Sequence, residues 1–232
     1  MNSLSENVLN PVDILRDSWQ FFRSSFGELL ALFIPLLFIA SILQILLLGV
    51  VTDDQKMRVV WLSGLIFKPF YTALMVLYVQ KKTVQEVIGN QALIFSAIKL
   101  WLPICAVTMV VGLLTVFGLY AYIIPGIWIA ARLSLAEYFL IVEHNGLVEA
   151  VQKSFMATAG YFWQVIVVLF VAIIPVLVAG ILVKTLFKSE NANIPASIFS
   201  QMLVSFIGLF SIVAIYRVYM KLSANLAKPE LP

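Results

Sequence analysis

The sequence predicts an all-α polytopic membrane protein with six transmembrane helices. Of its 232 residues, 62% are hydrophobic and only 12% are charged, whereas about a quarter of a typical soluble domain is charged. The apolar residues form long blocks, close to the ~20 residues with which a helix crosses a bilayer, and the mean hydropathy is +1.02. They do not alternate with polar residues as the strands of a transmembrane barrel do.

We expect a single integral membrane domain over residues 1–232. Helices suit the apolar blocks because a helix satisfies its own backbone hydrogen bonds where no water is present. The spans are predicted at approximately 29–51, 59–80, 101–122, 125–143, 162–187 and 196–220. Prolines interrupt several spans and usually kink a helix: Pro35, Pro69, Pro103 and Pro175. An uncharged turn closed by Pro125 and Gly126 makes the third and fourth spans a tight hairpin.

The start of the chain does not resemble a signal peptide. Glu6, Asp13 and Asp17 precede the first apolar block, and no short apolar region with a small-residue cleavage site follows them. We therefore expect the first span to act as an uncleaved anchor.

Three amphipathic stretches precede spans, over residues 11–26, 84–99 and 146–160. Their markers are Val12, Leu15, Trp19, Phe22 and Phe26 in the first, Glu86, Asn90 and Lys99 in the weaker second, and Leu147, Val151 and Phe155 in the third. Apolar residues at helical spacing opposite charged ones are typical of a helix that lies in the membrane interface. The alternative is a helix that packs on the bundle from the aqueous side.

The three stretches suggest a repeated unit of one surface helix and one transmembrane hairpin. A shift of 136 positions places Ser18 on Ser154 and Trp19 on Phe155. A shift of 74 positions relates the first stretch to the second less well. Internal repeats are common in membrane proteins, but any short surface helix before a span looks similar, so both explanations stay open.

Basic residues predict the orientation of the chain, because cytoplasmic loops are enriched in lysine and arginine. Nine lie on the side of the N-terminus: Arg16, Arg23, Lys81, Lys82, Lys99, Lys153, Arg217, Lys221 and Lys228. Four lie on the opposite side: Lys56, Arg58, Lys184 and Lys188. The bias predicts that both termini and all three amphipathic helices are cytoplasmic.

Three local patterns resemble the YciC-like family of bacterial inner-membrane proteins. They are Ile123-Ile-Pro-Gly-Ile-Trp-Ile-Ala-Ala, Gly146-Leu-x-x-Ala-Val-x-x-Ser154 and Ile215-Tyr-Arg-Val-Tyr-Met220. The family is related to the membrane domain of glycerophosphodiester phosphodiesterases, whose catalytic domain is absent from this sequence. The resemblance implies a multi-pass protein of the bacterial inner membrane with a role in envelope or lipid homeostasis. It supplies no catalytic residues.

Lys68, Arg132 and Glu137 are the candidate site residues because they are charged and lie within apolar spans. A charge near the bilayer centre costs at least about 2.5–3.5 kcal/mol and usually faces the bundle interior or water. Arg132 and Glu137 lie roughly 140° apart around a helix and cannot share one face well. We expect Lys68 to pair with Glu137, with Arg132 facing the same interior. The three residues form either a structural charge network or a site for an anion.

The sequence favours a protein that is not an enzyme. It contains no HExxH motif, no second histidine beside His144, and no glycine-rich phosphate loop with a lysine. We expect no metal or cofactor, and we assign Cys105 to helix packing. The scattered basic residues do not predict nucleic-acid binding.

Two classes of function remain. The first is a structural or regulatory inner-membrane protein whose partners are membrane lipids or other membrane proteins. The alternative is a transporter for a small anionic solute or a lipid. Charges inside the membrane favour transport, whereas no pair of broken, oppositely oriented helices is evident in the sequence.

Overall fold

A computed structural model describes residues 9–84, 89–186 and 194–226, apart from the side chains of Asp53, Trp61, Lys184 and Leu186. The regular secondary structure of the described residues consists of nine helices, joined by short connections. They are α1 (Pro11–Ser24), α2 (Phe26–Val50), α3 (Asp53–Val84), α4 (Asn90–Ala121), α5 (Ile123–Leu133), α6 (Ala136–Glu143), α7 (Leu147–Ala157), α8 (Phe162–Leu186) and α9 (Ile194–Leu226). Six helical segments are long and apolar enough to cross a membrane, and α5 and α6 together form the fourth of them. The chain is therefore a multi-pass, all-helical membrane protein, as predicted.

Helix α1 begins where the sequence predicts, because the Asn10 side chain caps it by accepting from the Val12 amide at 3.1 Å. The face that packs on the bundle shares Phe22 and the half-buried Leu15 with the predicted apolar stripe but does not coincide with it. Ile14, Ser18 and Phe22 are buried, whereas Val12 is 61% exposed and Trp19 is 60% exposed. The helix thus packs through one stripe and leaves other apolar side chains free to contact lipid. Its place in the membrane interface stays a prediction.

The sequence predicts a separate second surface helix over residues 84–99. This prediction is wrong for residues 90–99, which the structure describes. Residues 90–99 are the first turns of α4, which continues as one helix of 32 residues. Residues 85–88, including Glu86, lie outside the described residues. No helix-breaking residue lies between Lys99 and Trp101. The Lys99 Nζ lies 4.5 Å from the centroid of the Phe95 ring. At 1.5 Å per residue α4 is about 48 Å long, enough for a polar first section and a complete span.

The first and third predicted units keep their offset in the structure. Helices α2 and α8 each have 25 residues and begin 136 positions apart, at Phe26 and Phe162. Ser18 and Ser154, which the same offset relates, are both fully buried. In the described part of the middle unit, residues 90–99 belong to α4 rather than to a separate surface helix. The threefold repeat stays a prediction.

The third and fourth spans form the expected tight hairpin. Tyr122, with extended backbone angles, separates α4 from α5, and Pro125 lies in the first turn of α5, where its missing N–H is tolerated. Gly118 and Gly126 face each other at the crossing: a Cβ on Gly118 would lie 2.9 Å from the Gly126 Cα. The close approach of the two helices therefore depends on glycine.

Two helices that contain a proline, α3 and α8, are hydrogen-bonded to their neighbours close to it. Pro69 has no N–H, so it leaves the Leu65 carbonyl without its helical donor. Helix α4 supplies donors there: Cys105 Sγ donates to the Leu65 oxygen at 3.7 Å and Trp101 Nε1 donates to the Ile66 oxygen at 2.8 Å. Near Pro175 of α8, the Ala172 oxygen accepts from Ser211 of α9 at 2.7 Å. The Leu65 carbonyl, which Pro69 leaves without its helical donor, therefore receives a donor from the adjacent helix, as the absence of water requires. The Ile66 and Ala172 carbonyls accept further interhelical bonds close to the two prolines.

Candidate functional site

A partly open cavity of about 630 Å³ lies between the helices of the bundle. Its walls come from α2, α3, α6, α8 and α9, with further side chains from α4 and the junction between α5 and α6. Most of the wall is apolar, and a smaller set of polar side chains faces the same space: Ser41, Gln44, Ser63, Lys68, Tyr71, Thr72, Ser134, Glu137, Tyr138, Gln201, Ser205 and Ser211. An apolar cavity with a few convergent polar groups, in the range of about 300–1,000 Å³, is typical of a small-molecule site.

Two of the three predicted site residues line this cavity. Lys68 of α3 and Glu137 of α6 face the same space, but within the described part of the chain they form no ion pair at 4.0 Å or less. Oxygen Oε1 of Glu137 instead accepts from the Thr108 hydroxyl of α4 at 2.8 Å. Lys68 and Glu137 thus line one cavity, and the expected direct ion pair between them is not formed in the described structure.

Arg132 does not line the cavity, contrary to the prediction. The Cζ atom of its guanidinium lies 4.1 Å from the centroid of the Phe155 ring and 5.5 Å from the centroid of the Trp128 ring. The Arg132 Nε is buried and has no hydrogen-bond partner among the described residues. Stacking on two aromatic rings stabilises the cation through their negative faces. Arg132 therefore holds α5 against α7 rather than joining Lys68 and Glu137.

The fourth span breaks beside the cavity, between α5 and α6. Ser134 donates to the Ala131 oxygen at 2.8 Å, a local bond that competes with helix continuation. Ser154 of α7 crosses the gap: its hydroxyl donates to the Arg132 oxygen at 2.8 Å and accepts from the Leu135 amide at 3.2 Å. Thr158 donates to the same Arg132 oxygen at 3.2 Å. Helix α7 thus replaces the hydrogen bonds that the break removes from the span.

Two amide side chains on different helices form a polar pair in the cavity, and this pair was not predicted from the sequence. Nε2 of Gln201 in α9 donates to Oε1 of Gln44 in α2 at 2.8 Å. Both side chains line the cavity, although 157 positions separate them in the chain. Uncharged polar residues inside long apolar blocks are the signal that could have indicated them.

Among the described residues, five charged side chains outside the cavity form ion pairs at helix ends that are predicted to face the cytoplasm. Lys82 Nζ lies 2.6 Å from Glu28 Oε1, and Lys153 Nζ lies 2.8 Å from Glu143 Oε2 and 3.2 Å from Glu149 Oε1. The hydrogen bonds to Glu143 and Glu149 raise the pKa of Lys153 above its ordinary value. These pairs join α2 to α3 and α6 to α7, so they connect helix ends around the bundle.

Comparison of the chain with known proteins gives no likeness from which a ligand could be transferred. No family model, curated protein or solved structure matches it. The cavity and its side chains are therefore the basis for assigning a function.

Proposed function

We propose that this chain is a non-enzymatic bacterial inner-membrane protein that binds a lipid or a small amphiphile in its central cavity, in a structural or regulatory role in the cell envelope. The observation that carries this proposal is the cavity itself, where Lys68 and Glu137 face an otherwise apolar space. Charged side chains inside a membrane protein mark ligand sites by default because they are costly to retain. The resemblance to the YciC-like family supports the same location and role.

Filling the cavity is expected to remove the bound ligand without unfolding the protein. Gly208 of α9 lines the cavity, and a Cβ at this position meets no atom within 4 Å. We expect Gly208→Leu to reduce the lipid that stays bound by about tenfold, the change produced by losing roughly 1.4 kcal/mol of binding free energy. Mass spectrometry of lipids retained after extraction in mild detergent measures this.

The matched control is Gly112→Leu on α4. A Cβ there also meets no atom within 4 Å, but Gly112 does not line the cavity. Both substitutions add the same side chain and improve helix propensity by a similar amount, up to about 1 kcal/mol. Equal lipid retention in both variants would contradict the assignment of the cavity as the binding site.

The predicted orientation places the start of α3 outside the cytoplasm and the start of α4 inside it. In a Cys105→Ser background, we expect Asp54→Cys to react with a membrane-impermeant maleimide added to intact cells lacking the outer-membrane barrier. Asn90→Cys is expected to react only after the inner membrane is permeabilised. Both positions are exposed, so full labelling after permeabilisation is the control. Labelling of Asn90→Cys in intact cells would invert the proposed topology.

Transport of the bound molecule is the second candidate function, and the break in the fourth span favours it. Helices that are interrupted within the membrane often line the substrate sites of transporters. Ser134 at the break and Glu137 in the next turn both face the cavity. Uptake or efflux of the ligand by reconstituted vesicles distinguishes transport from binding alone.

A further inference from the structure

We infer that the central cavity selects a zwitterion, a molecule that carries both an ammonium group and a phosphate or carboxylate, either as a lipid headgroup or free in solution. This inference deepens the proposed function and rests on it. Lys68 and Glu137 present one positive and one negative side chain to the same cavity. Among the described residues they do not approach within the 4.0 Å of an ion pair. Each charge is therefore available to a ligand group of the opposite sign.

The anionic group of the ligand belongs beside Lys68. Tyr71 and Thr72 follow Lys68 at i+3 and i+4 on α3, so the three side chains share one helix face and line the cavity together. Thr72 is only 1% exposed, and its Oγ1 is buried without a hydrogen-bond partner in the described structure. A buried hydroxyl without a partner is unfavourable. A ligand phosphate or carboxylate at this helix face pairs with the Lys68 ammonium, next to that unsatisfied hydroxyl.

The cationic group of the ligand belongs beside Glu137. The Thr108 hydroxyl holds one carboxylate oxygen, Oε1, at 2.8 Å. The second oxygen, Oε2, has no hydrogen-bond partner among the described residues. The carboxylate is thus fixed in position with one oxygen open, which suits a charge-assisted hydrogen bond from an ammonium group.

The charge balance of the cavity excludes the simpler ligands. A molecule with only a negative charge is attracted to Lys68 and repelled by Glu137, and a cation experiences the reverse. A neutral molecule leaves both charges without a partner in a medium where unpaired charges are costly. A zwitterion pairs with both, while apolar wall residues such as Phe67, Leu169 and Ile215 contact its hydrocarbon part. Such a molecule comes from the surrounding bilayer as a zwitterionic phospholipid, or from solution as a free zwitterion.

Native mass spectrometry of the full chain tests the selectivity. The probes are phosphatidylethanolamine, phosphatidylglycerol and diacylglycerol with identical acyl chains, and free phosphoethanolamine. We expect phosphatidylethanolamine to bind at least about tenfold more tightly than the other two lipids, the effect of one charge-assisted hydrogen bond. Binding of phosphoethanolamine without the lipid preference would assign the ligand to solution and keep the inference. Phosphatidylglycerol that binds as tightly as phosphatidylethanolamine, with no binding of phosphoethanolamine, overturns it.

Two variants separate the roles of the charges. Glu137→Gln should abolish the preference for phosphatidylethanolamine over phosphatidylglycerol, because only the former carries an ammonium group. Lys68→Met should weaken both about tenfold or more, because both carry a phosphate. Glu149→Gln and Lys99→Met, whose residues do not line the cavity, are the matched controls and should change neither affinity. An unchanged lipid preference in Glu137→Gln contradicts the inference.

The test also distinguishes this inference from the function on which it rests. If Gly208→Leu loses bound lipid but the unmodified protein shows no preference for a zwitterion, the cavity is a binding site and only the zwitterion inference fails. If Gly208→Leu binds phosphatidylethanolamine as the unmodified protein does, the cavity is not the site and both fail.

Discussion

Replacing Ser154 with alanine is expected to destabilise the protein by about 1–3 kcal/mol, the usual effect of leaving a buried polar group without its partner. The Ser154 hydroxyl is the acceptor for the Leu135 amide and a donor to the Arg132 oxygen. Alanine removes both bonds at the break in the fourth span. Thr158 still reaches the Arg132 oxygen, so the Leu135 amide carries most of the loss. Unfolding in mixed micelles with increasing sodium dodecyl sulfate measures it.

Ser18→Ala is the control for this substitution. Ser18 lies on α1, 136 positions before Ser154, and is also fully buried, but its hydroxyl donates within its own helix, to the Ile14 oxygen at 2.6 Å. The Ile14 carbonyl also accepts a backbone hydrogen bond within α1. Removing the Ser18 hydroxyl should therefore change the free energy of unfolding by less than about 1 kcal/mol. Equal effects of the two substitutions would show that Ser154 does not support the break.

Replacing Gly126 with alanine is expected to destabilise the α4–α5 hairpin by about 1–3 kcal/mol or more, the usual effect of adding volume to a tight contact. A Cβ at Gly126 would lie 2.6 Å from the backbone nitrogen of Leu119 and would also overlap the Leu119 side chain. The side chain can rotate away, but the backbone of α4 can move only if the two helices separate. The same unfolding titration measures the change.

Gly112→Ala on α4, the other helix of the hairpin, provides the opposite expectation. Its Cβ meets nothing within 4 Å, so the gain in helix propensity should stabilise the protein by about 0.5–1 kcal/mol. The two glycine substitutions should therefore differ in sign. A stabilising effect of Gly126→Ala would show that the hairpin is looser than the structure describes.

The membrane spans were predictable because they depend on local composition. Each is a long apolar block, and the length of such a block already determines that a helix crosses the bilayer. The interruption of the fourth span was not predictable in this way. The residues around Ser134 are compatible with a continuous helix, and the break is completed by Ser154, which lies 19 positions beyond Leu135. Tertiary contacts of this kind are not visible in a local pattern.

The candidate site was predictable in part. Lys68 and Glu137 were recognisable because charges are rare inside apolar spans, and both line the cavity. The placement of Arg132 in the same interior was wrong although a signal for another position was present. Trp128 precedes Arg132 by four residues and so shares its helix face, and the guanidinium lies over that ring. The Gln44–Gln201 contact required the packing of α2 against α9 and could not be derived from either helix alone.

The proline in α3 also has an evolutionary consequence. Cys105 of α4 donates to the Leu65 carbonyl, four residues before Pro69. If a related chain replaces Pro69 with a residue that has an N–H, the Leu65 carbonyl regains its own helical donor. The thiol would then be released from selection as a donor, and an apolar residue could replace it without leaving that carbonyl unsatisfied. We expect positions 69 and 105 to covary among relatives, with the thiol donor retained where the proline is retained.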